Sequence, residues 1–192
     1  MLIKLNSKPT SVNKWNEIYQ EMDWKAIFLK PIKTTQDSKL RWFQLRIIHR
    51  IIPTNRYLCL RKITNNSSCS FGCGDEETIE HLFYDCPIVQ LFWTDVLEWI
   101  RSRCIHCDNF IFTKELIIFG LKSNTFTDKV MDLIILLAKW HIYKCKLLNT
   151  SPQVMAFKNI LKSRYVIEKY SSAIQCNSTK FASNWLMYLP LL

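Results

Sequence analysis

The stretch CSFGCGDEETIEHLFYDCP, residues 69–87, places Cys69, Cys73, His81 and Cys86 in the order Cys-x3-Cys-x7-His-x4-Cys. Three thiols and one imidazole at such spacing make a common donor set for tetrahedral zinc. Gly72 and Gly74 flank Cys73 and allow the tight turn that a closely held ion requires. His81 falls on a short helical segment, TIEHLFYD. If that helix continued, Cys86 would point about 140° away from His81. The helix must therefore end before Cys86, and Pro87 marks the break. All four positions would be filled by protein, so the predicted ion is structural, with no vacancy for an activated water. One such ion is expected.

Charge is distributed in blocks around this motif. Residues 1–68 carry 13 Lys/Arg against 4 Asp/Glu, residues 69–100 carry none against 7, and residues 101–192 carry 13 against 5. The motif thus sits in a block of −7 between blocks of +9 and +8, within a chain of net charge +10. A basic balance of this size favours a polyanionic partner, nucleic acid ahead of a membrane surface. The acidic cluster of Asp75, Glu76, Glu77, Glu80 and Asp85 should repel phosphate at short range. The cysteine/histidine motif then reads as a brace for neighbouring basic helices, with its acids orienting the ligand or docking on basic surface elsewhere in the chain.

Hydrophobic content of 48% and only 3 glycines indicate a helix-rich globular chain. The expected fold is mainly α, a helical domain with a small CCHC zinc-stapled loop-helix element. The N-terminus lacks a continuous apolar core of signal-peptide length, and the longest strongly apolar run, LIILLA at 133–138, is too short for a bilayer. The expected setting is intracellular, nuclear or cytoplasmic, where clustered cysteines indicate metal and scattered ones free thiols.

Thr35 with Ser38, or Asp37, can cap a helix starting near Ser38 and stopping at or just before Ile52, ahead of Pro53. A short helix follows over 54–62, and Pro87 suits the first turn of a longer one, IVQLFWTDVLEWIRSR. FIFTKELIIFGL is ambiguous between strand and short helix. Residues 126–148 form the longest buried helix, with Thr127 or Asp128 near its start. Pro152 opens another, running to about Ala173, and a last helical piece, STKFASNWLMYL, ends at Pro190. CIHC at 104–107 offers Cys104, His106 and Cys107 but no fourth ligand, so free thiols are the better reading. Cys59, Cys145 and Cys176 are isolated, and His141 reads as a core histidine.

On the helix from Ser38, Lys39, Arg46 and Arg50 fall on one stripe flanked by Trp42, Phe43 and His49. Arg56, Arg61 and Lys62 extend it toward the cysteine motif. Basic side chains interleaved with aromatics suit phosphate contact and base stacking on a single strand. Burial of Trp42 and Phe43 in a core helix is the competing reading for the aromatics. A looser basic group, Lys158, Lys162, Arg164 and Lys169, fits a solvated face equally well. No paired Asp-Asp, phosphate-cradling glycine loop or nucleophile triad is present, which excludes the common routes to catalysis.

KLRWFQLRIIHRIIPTNRYLCLRKI leading into ETIEHLFYDCPIVQLFW resembles the zinc-binding region that follows the reverse transcriptase in LINE-type (non-LTR) retrotransposon polyproteins. LIILLAKWHIYKCK and LKSRYVIEKY resemble the tail of that region. The resemblance implies zinc at Cys69, Cys73, His81 and Cys86, although the family usually spaces its first pair by two residues. It also implies a binding module without polymerase or nuclease activity. The organisation it suggests is an N-terminal segment (1–34), a zinc-binding domain (35–103) and a helical region packed on it (104–192). Expected partners are RNA or DNA, through phosphates, and other parts of such a polyprotein. No membrane or small-molecule substrate is expected. The alternatives are a structural zinc domain for protein interaction and a non-functional retrotransposon fragment.

Overall fold

Helix starts follow the capping chemistry of the sequence, while helix ends do not. The structure, a computed structural model, describes residues 9–104, 107, 109–121 and 126–192. The polar N-terminal segment, for which the sequence predicts no element, forms α1 (Thr10–Asn16) and α2 (Trp24–Thr34). α3 (Ser38–Ile48) starts as expected: the Asp37 carboxylate accepts from Lys39 N at 2.9 Å and Leu40 N at 3.3 Å. Thr54 caps α4 (Asn55–Leu60), accepting from Tyr57 N at 3.2 Å. α5 (Pro87–Arg103) opens on its proline. The ambiguous FIFTKELIIFGL resolves as α6 (Lys114–Phe119), capped by Thr113. α7 (Phe126–Leu148) is the longest helix described, at 23 residues, and the side chains of Thr127 and Asp128 lie outside the described residues. α8 (Val154–Ile174), α9 (Ser178–Trp185) and a 3-10 turn (Leu186–Leu191) complete the chain.

The fold is mainly α, as expected. No strand occurs among the described residues; a single antiparallel bridge joins Ser68 and Glu76. No helix among them is long and apolar enough to cross a membrane.

α3 ends at Ile48, earlier than the proline rule suggests. Arg50 adopts a left-handed φ of 57°, and the N–H groups of Arg50 and Ile51 bond to the carbonyls of Ile47 and Arg46. This is the Schellman arrangement, normally supplied by glycine. Lys62 and Cys176 end α4 and α8 in the same way, and Asn149 does so after α7. With 3 glycines in the chain, ordinary side chains take the left-handed position at a strain of order 1 kcal/mol each.

α7 packs against α2, α3, α6, α8 and α9, and is apolar on nearly every side. Leu133 to Ala138 are all buried, which is why this run reads as a core segment. Its buried polar groups each tie it to another element. Asp132 pairs with Lys30 of α2 at 3.2 Å and accepts from Leu121 N at 2.8 Å. Gly120 has a φ of 87° where α6 ends, and a Cβ there would sit 2.7 Å from the Asp132 carboxylate. Gln153 N donates to His141 Nε2 at 3.4 Å, beside Cys145, so His141 is the core histidine the sequence suggests.

Lys139 is completely enclosed. Its Nζ donates to Gln44 Oε1 of α3 at 2.6 Å and to the Ile118 carbonyl of α6 at 3.2 Å. Desolvation lowers its pKa from 10.5 to about 7, with Asp132 opposing. Between those two pH values the unfolded chain holds a proton that the folded chain lacks, so stability rises with pH across that window. The cost of burying the ammonium is full below pH 7 and absent above pH 10.5. Wild-type stability should therefore rise relative to Lys139→Met by up to about 1.4 kcal/mol per pH unit within the window. Urea unfolding of both proteins at several pH values measures this, and parallel pH profiles would show that Lys139 keeps its proton when buried.

Candidate metal centre

Two short structures bring the four ligands together. On the first, Ser67 O accepts from Glu77 N at 2.8 Å and Cys69 N donates to Asp75 O at 2.8 Å, so the ends of the loop close on each other. Gly72 and Gly74 take φ of 81° and 93° within it, as the turn requires. Phe71 N donates to Cys69 Sγ at 3.3 Å, which holds the sulfur inward.

The second is the helix end expected before Cys86, reached through a wider turn than an α-helix. Residues His81–Asp85 form a π-helical turn, with Cys86 N bonded to His81 O at 3.0 Å. A π turn pairs residues five apart and brings both onto one face, where an α-helix would separate them. The chain thus widens its helix to align His81 with Cys86, becoming extended only at Cys86 itself (ψ 127°).

The ligand atoms of Cys69, Cys73, His81 and Cys86 all lie within 4.8 Å of one another. The Cys69 and Cys86 sulfurs are 3.7 Å apart, and Cys73 Sγ is 3.2 Å from His81 Nε2. Two thiolates bound to one tetrahedral zinc are about 3.8 Å apart, and a thiolate and an imidazole nitrogen about 3.6 Å. The donor set and its spacing therefore fit a zinc ion. The longer x3 interval between Cys69 and Cys73 is absorbed in the loop, and both thiols reach the cluster. Burial pushes the Cys69 thiol up to about 12 and raises Cys86 also, so taking up a metal here would displace protons from thiols that water alone leaves protonated. His81 Nδ1 faces Asp75 at 4.0 Å, too far for a direct hydrogen bond.

The loop is anchored by an acidic residue that sequence reasoning treated only as part of a cluster. Glu77 is 0% exposed. One carboxylate oxygen accepts from Asn55 N at 2.8 Å and from Lys146 Nζ of α7, and the other accepts from Ser70 N at 2.8 Å. Lys146 also donates to Asn55 Oδ1 at 2.8 Å, and Asn55 Nδ2 to Ser68 O at 2.7 Å. A single buried charge thus joins the ligand loop, the start of α4 and the end of α7. Lys146 lies 69 positions away in sequence, and no local pattern announces the pairing.

The remaining acids behave similarly. Glu80 pairs with Arg50 at 2.9 Å, Glu76 with Arg56 at 2.7 Å, and Asp85 with Lys114 at 2.7 Å. Arg50 is also stacked 4.1 Å from the centroid of the buried Trp15 ring. Of the residues expected to meet nucleic acid, Arg50 and Arg56 are thus engaged within the chain. Lys39, Trp42 and Arg46 lie on one exposed face of α3, and Trp42 is 65% exposed. Phe43, by contrast, is buried against Phe83 and Trp140. Arg61 lies over the Tyr57 ring at 5.2 Å, and Lys62 is exposed. In the late group, Arg164 pairs with Asp37 and Glu168. Cys104 donates to Met187 O at 3.3 Å and Cys107 is buried, while His106 lies outside the described residues.

Purified protein should carry one zinc by elemental analysis, and Cys86→Ala should lose it. Glu77→Gln should lower stability by about 3 kcal/mol, because it leaves the Lys146 ammonium buried without its counter-charge. The double variant with Lys146→Met should recover part of that loss in a double-mutant cycle. Additive effects would mean that the pair contributes nothing as a pair.

The spacing, the donor set and the ligand geometry agree with an independent finding on the sequence: residues 9–93 match the protein family described as zinc-binding in reverse transcriptase.

Proposed function

We propose that this chain is a zinc-stabilised nucleic-acid-binding module of the kind found in the C-terminal part of a non-LTR retrotransposon reverse transcriptase, acting by binding rather than by bond chemistry. One observation carries the reading: the exposed row of Lys39, Trp42 and Arg46 on α3. Among the described residues, neither Lys39 nor Arg46 makes an ion pair or a side-chain hydrogen bond. A protein with four loop acids consumed by internal pairing, yet with these cations left in solvent beside a large exposed indole, is suited to a single strand. The cations would meet phosphates and the indole would stack on a base. Four protein ligands at the metal support a bracing role for the ion.

The loop acids bear on the same reading. Glu76, Glu77, Glu80 and Asp85 each hold a basic side chain of the chain itself, so their repulsion of a phosphate backbone is reduced. The surface beside α3 then keeps a positive balance through Arg61 and Lys62.

Binding to single-stranded RNA or DNA should weaken steeply with salt. The double variant Lys39→Glu, Arg46→Glu should bind at least tenfold more weakly at low salt, with the slope of log affinity against log salt reduced by about 1.4. Trp42→Ala should weaken binding while leaving that slope unchanged, since stacking releases no counterion. Fluorescence anisotropy with labelled strands reads both. Wild-type affinity retained in the charge-reversed protein would sink the role of α3. Absence of binding at low salt would favour a protein-interaction domain instead.

A further inference from the structure

Behind the start of α3, a cavity of about 400 Å³ opens between the α2–α3 junction, α7, α8 and α9. We infer that this cavity receives one unstacked nucleobase of a bound single strand. The inference rests on the nucleic-acid reading above and adds a site distinct from the exposed α3 row.

The volume lies within the range of small-ligand pockets and accommodates a heteroaromatic base with its sugar at the mouth. Leu133 of α7 and the rings of Phe181 and Trp185 of α9 give it an apolar wall. The Trp185 ring is fixed edge-on against Tyr165 at 5.1 Å, and Phe181 packs on the same tyrosine at 5.4 Å. The half-buried Phe181, tilted 38° to the enclosed Trp185 ring behind it, offers the aromatic surface for the face of a base.

The polar lining suits its edge. Asn184 lines the cavity at 9% exposure, and its Oδ1 is enclosed with no hydrogen-bond partner. Leaving such a group unsatisfied is costly, whichever way the amide is turned. A base edge offers both donors and acceptors to an amide. At the rim, Gln36 and Gln175 hold each other by weak reciprocal amide contacts of 3.5 and 3.3 Å, which a ligand edge can replace.

Charge argues for a neutral group inside. Arg164 faces the cavity, but its guanidinium is already shared among Asp37 at 2.9 Å, Glu168 at 3.2 Å and Thr35 Oγ1 at 2.6 Å. The two carboxylates in the lining are thereby matched by Arg164 and the exposed Lys129, so the interior has no surplus cation for a phosphate. Continuity with α3 is direct. Asp37, in the cavity wall, is the cap of α3, and Lys39 begins the exposed row two residues later. A strand whose phosphates meet Lys39 can turn one base inward past Asp37.

The test uses the full chain in its zinc-loaded form and a short labelled RNA strand, intact or with its central bases removed. Wild type should prefer the intact strand about tenfold. In the Trp42→Ala background, which removes base stacking on α3, Asn184→Leu and Ser171→Phe, the first removing the polar edge and the second filling the space from α8, should bring the two strands close to parity with an unchanged salt slope. Asn184→Leu should also raise the melting temperature, because it removes an unsatisfied buried group, and zinc content reports that both variants fold. In the Trp42→Ala background, equal affinity for intact and base-free strands, or a preference that survives both cavity variants, overturns the inference. If no strand binds wild type at all, the nucleic-acid reading fails separately. Adenosine and uridine are then titrated by saturation-transfer NMR: saturation in wild type that is lost in Asn184→Leu upholds the cavity as a nucleobase site, and its absence overturns it.

Discussion

A carboxylate with no access to water has to be compensated, and the way Glu77 is compensated organises the surroundings of the metal centre. Removing an ion from water costs several kcal/mol, which is returned only by a close counter-charge and satisfied lone pairs. Glu77 has both: Lys146 from α7, and backbone N–H groups from Ser70 and Asn55. Those partners come from three separate parts of the chain, so the carboxylate can be satisfied only when the ligand loop, α4 and α7 are placed together. Backbone hydrogen bonds and two glycines define the shape of the loop, while Glu77 defines where the loop sits. The turn carrying His81 and Cys86 is fixed separately, by the buried Leu82 and Phe83 and by the Trp93 Nε1 bond to Phe83 O at 2.8 Å.

The block charges of the sequence acquire a physical meaning from these pairs. A segment of −7 between segments of +9 and +8 invites the idea of an acidic surface. Instead, four of its seven acids face inward or sideways onto Arg50, Arg56, Lys114 and Lys146, one base from each of four places, while Asp75, Asp95 and Glu98 are exposed. Exposed pairs such as Glu76–Arg56 contribute little stability. Their effect is on the field: they offset four of the acids around the site, although not the exposed Asp75 beside Cys73 and His81, and leave the cations of α3 in solvent. The motif whose four donors fit a zinc ion is thereby tied to basic residues before and after it in the chain.

The metal ligands and the helix starts were legible in the sequence because both depend on residues a few positions apart. Asp37, Thr54 and Pro87 act within one turn of their own helices. Helix ends were less legible because Arg50, Lys62, Asn149 and Cys176 occupy positions where glycine is the usual signal. The helix end before Cys86 was legible from the wheel and Pro87, but the π turn that carries it was hidden, because a wheel drawn at α-helical pitch has no place for a wider turn. Arg50 shows how a helical wheel misplaces a side chain past a helix end. Its left-handed backbone carries the guanidinium away from Lys39 and Arg46 and onto Trp15 and Glu80. The exposure of Trp42 beside the burial of Phe43 was undecidable locally, because it depends on where α7 and the π turn lie against α3. The pairing of Glu77 with Lys146 was invisible for the same reason.

α7 shows that buried cations in one helix can serve opposite ends. Lys146 meets a carboxylate and completes a network that spans the metal loop. Lys139, two turns earlier, meets only the neutral oxygens of Gln44 and Ile118, and desolvation outweighs what those oxygens return. An aliphatic residue at 139 would pack on the same neighbours but would leave Gln44 Oε1 without a donor, while the Ile118 carbonyl would keep the Gln44 Nε2 bond at 2.8 Å. The ammonium therefore trades stability for a fixed register between α3, α6 and α7. That register matters at the surface: it holds the Gln44 side of α3 against the core and so turns Lys39, Trp42 and Arg46 outward. A buried lysine amine on one side of α3 and the exposed cations on the other are thus two consequences of a single helix orientation.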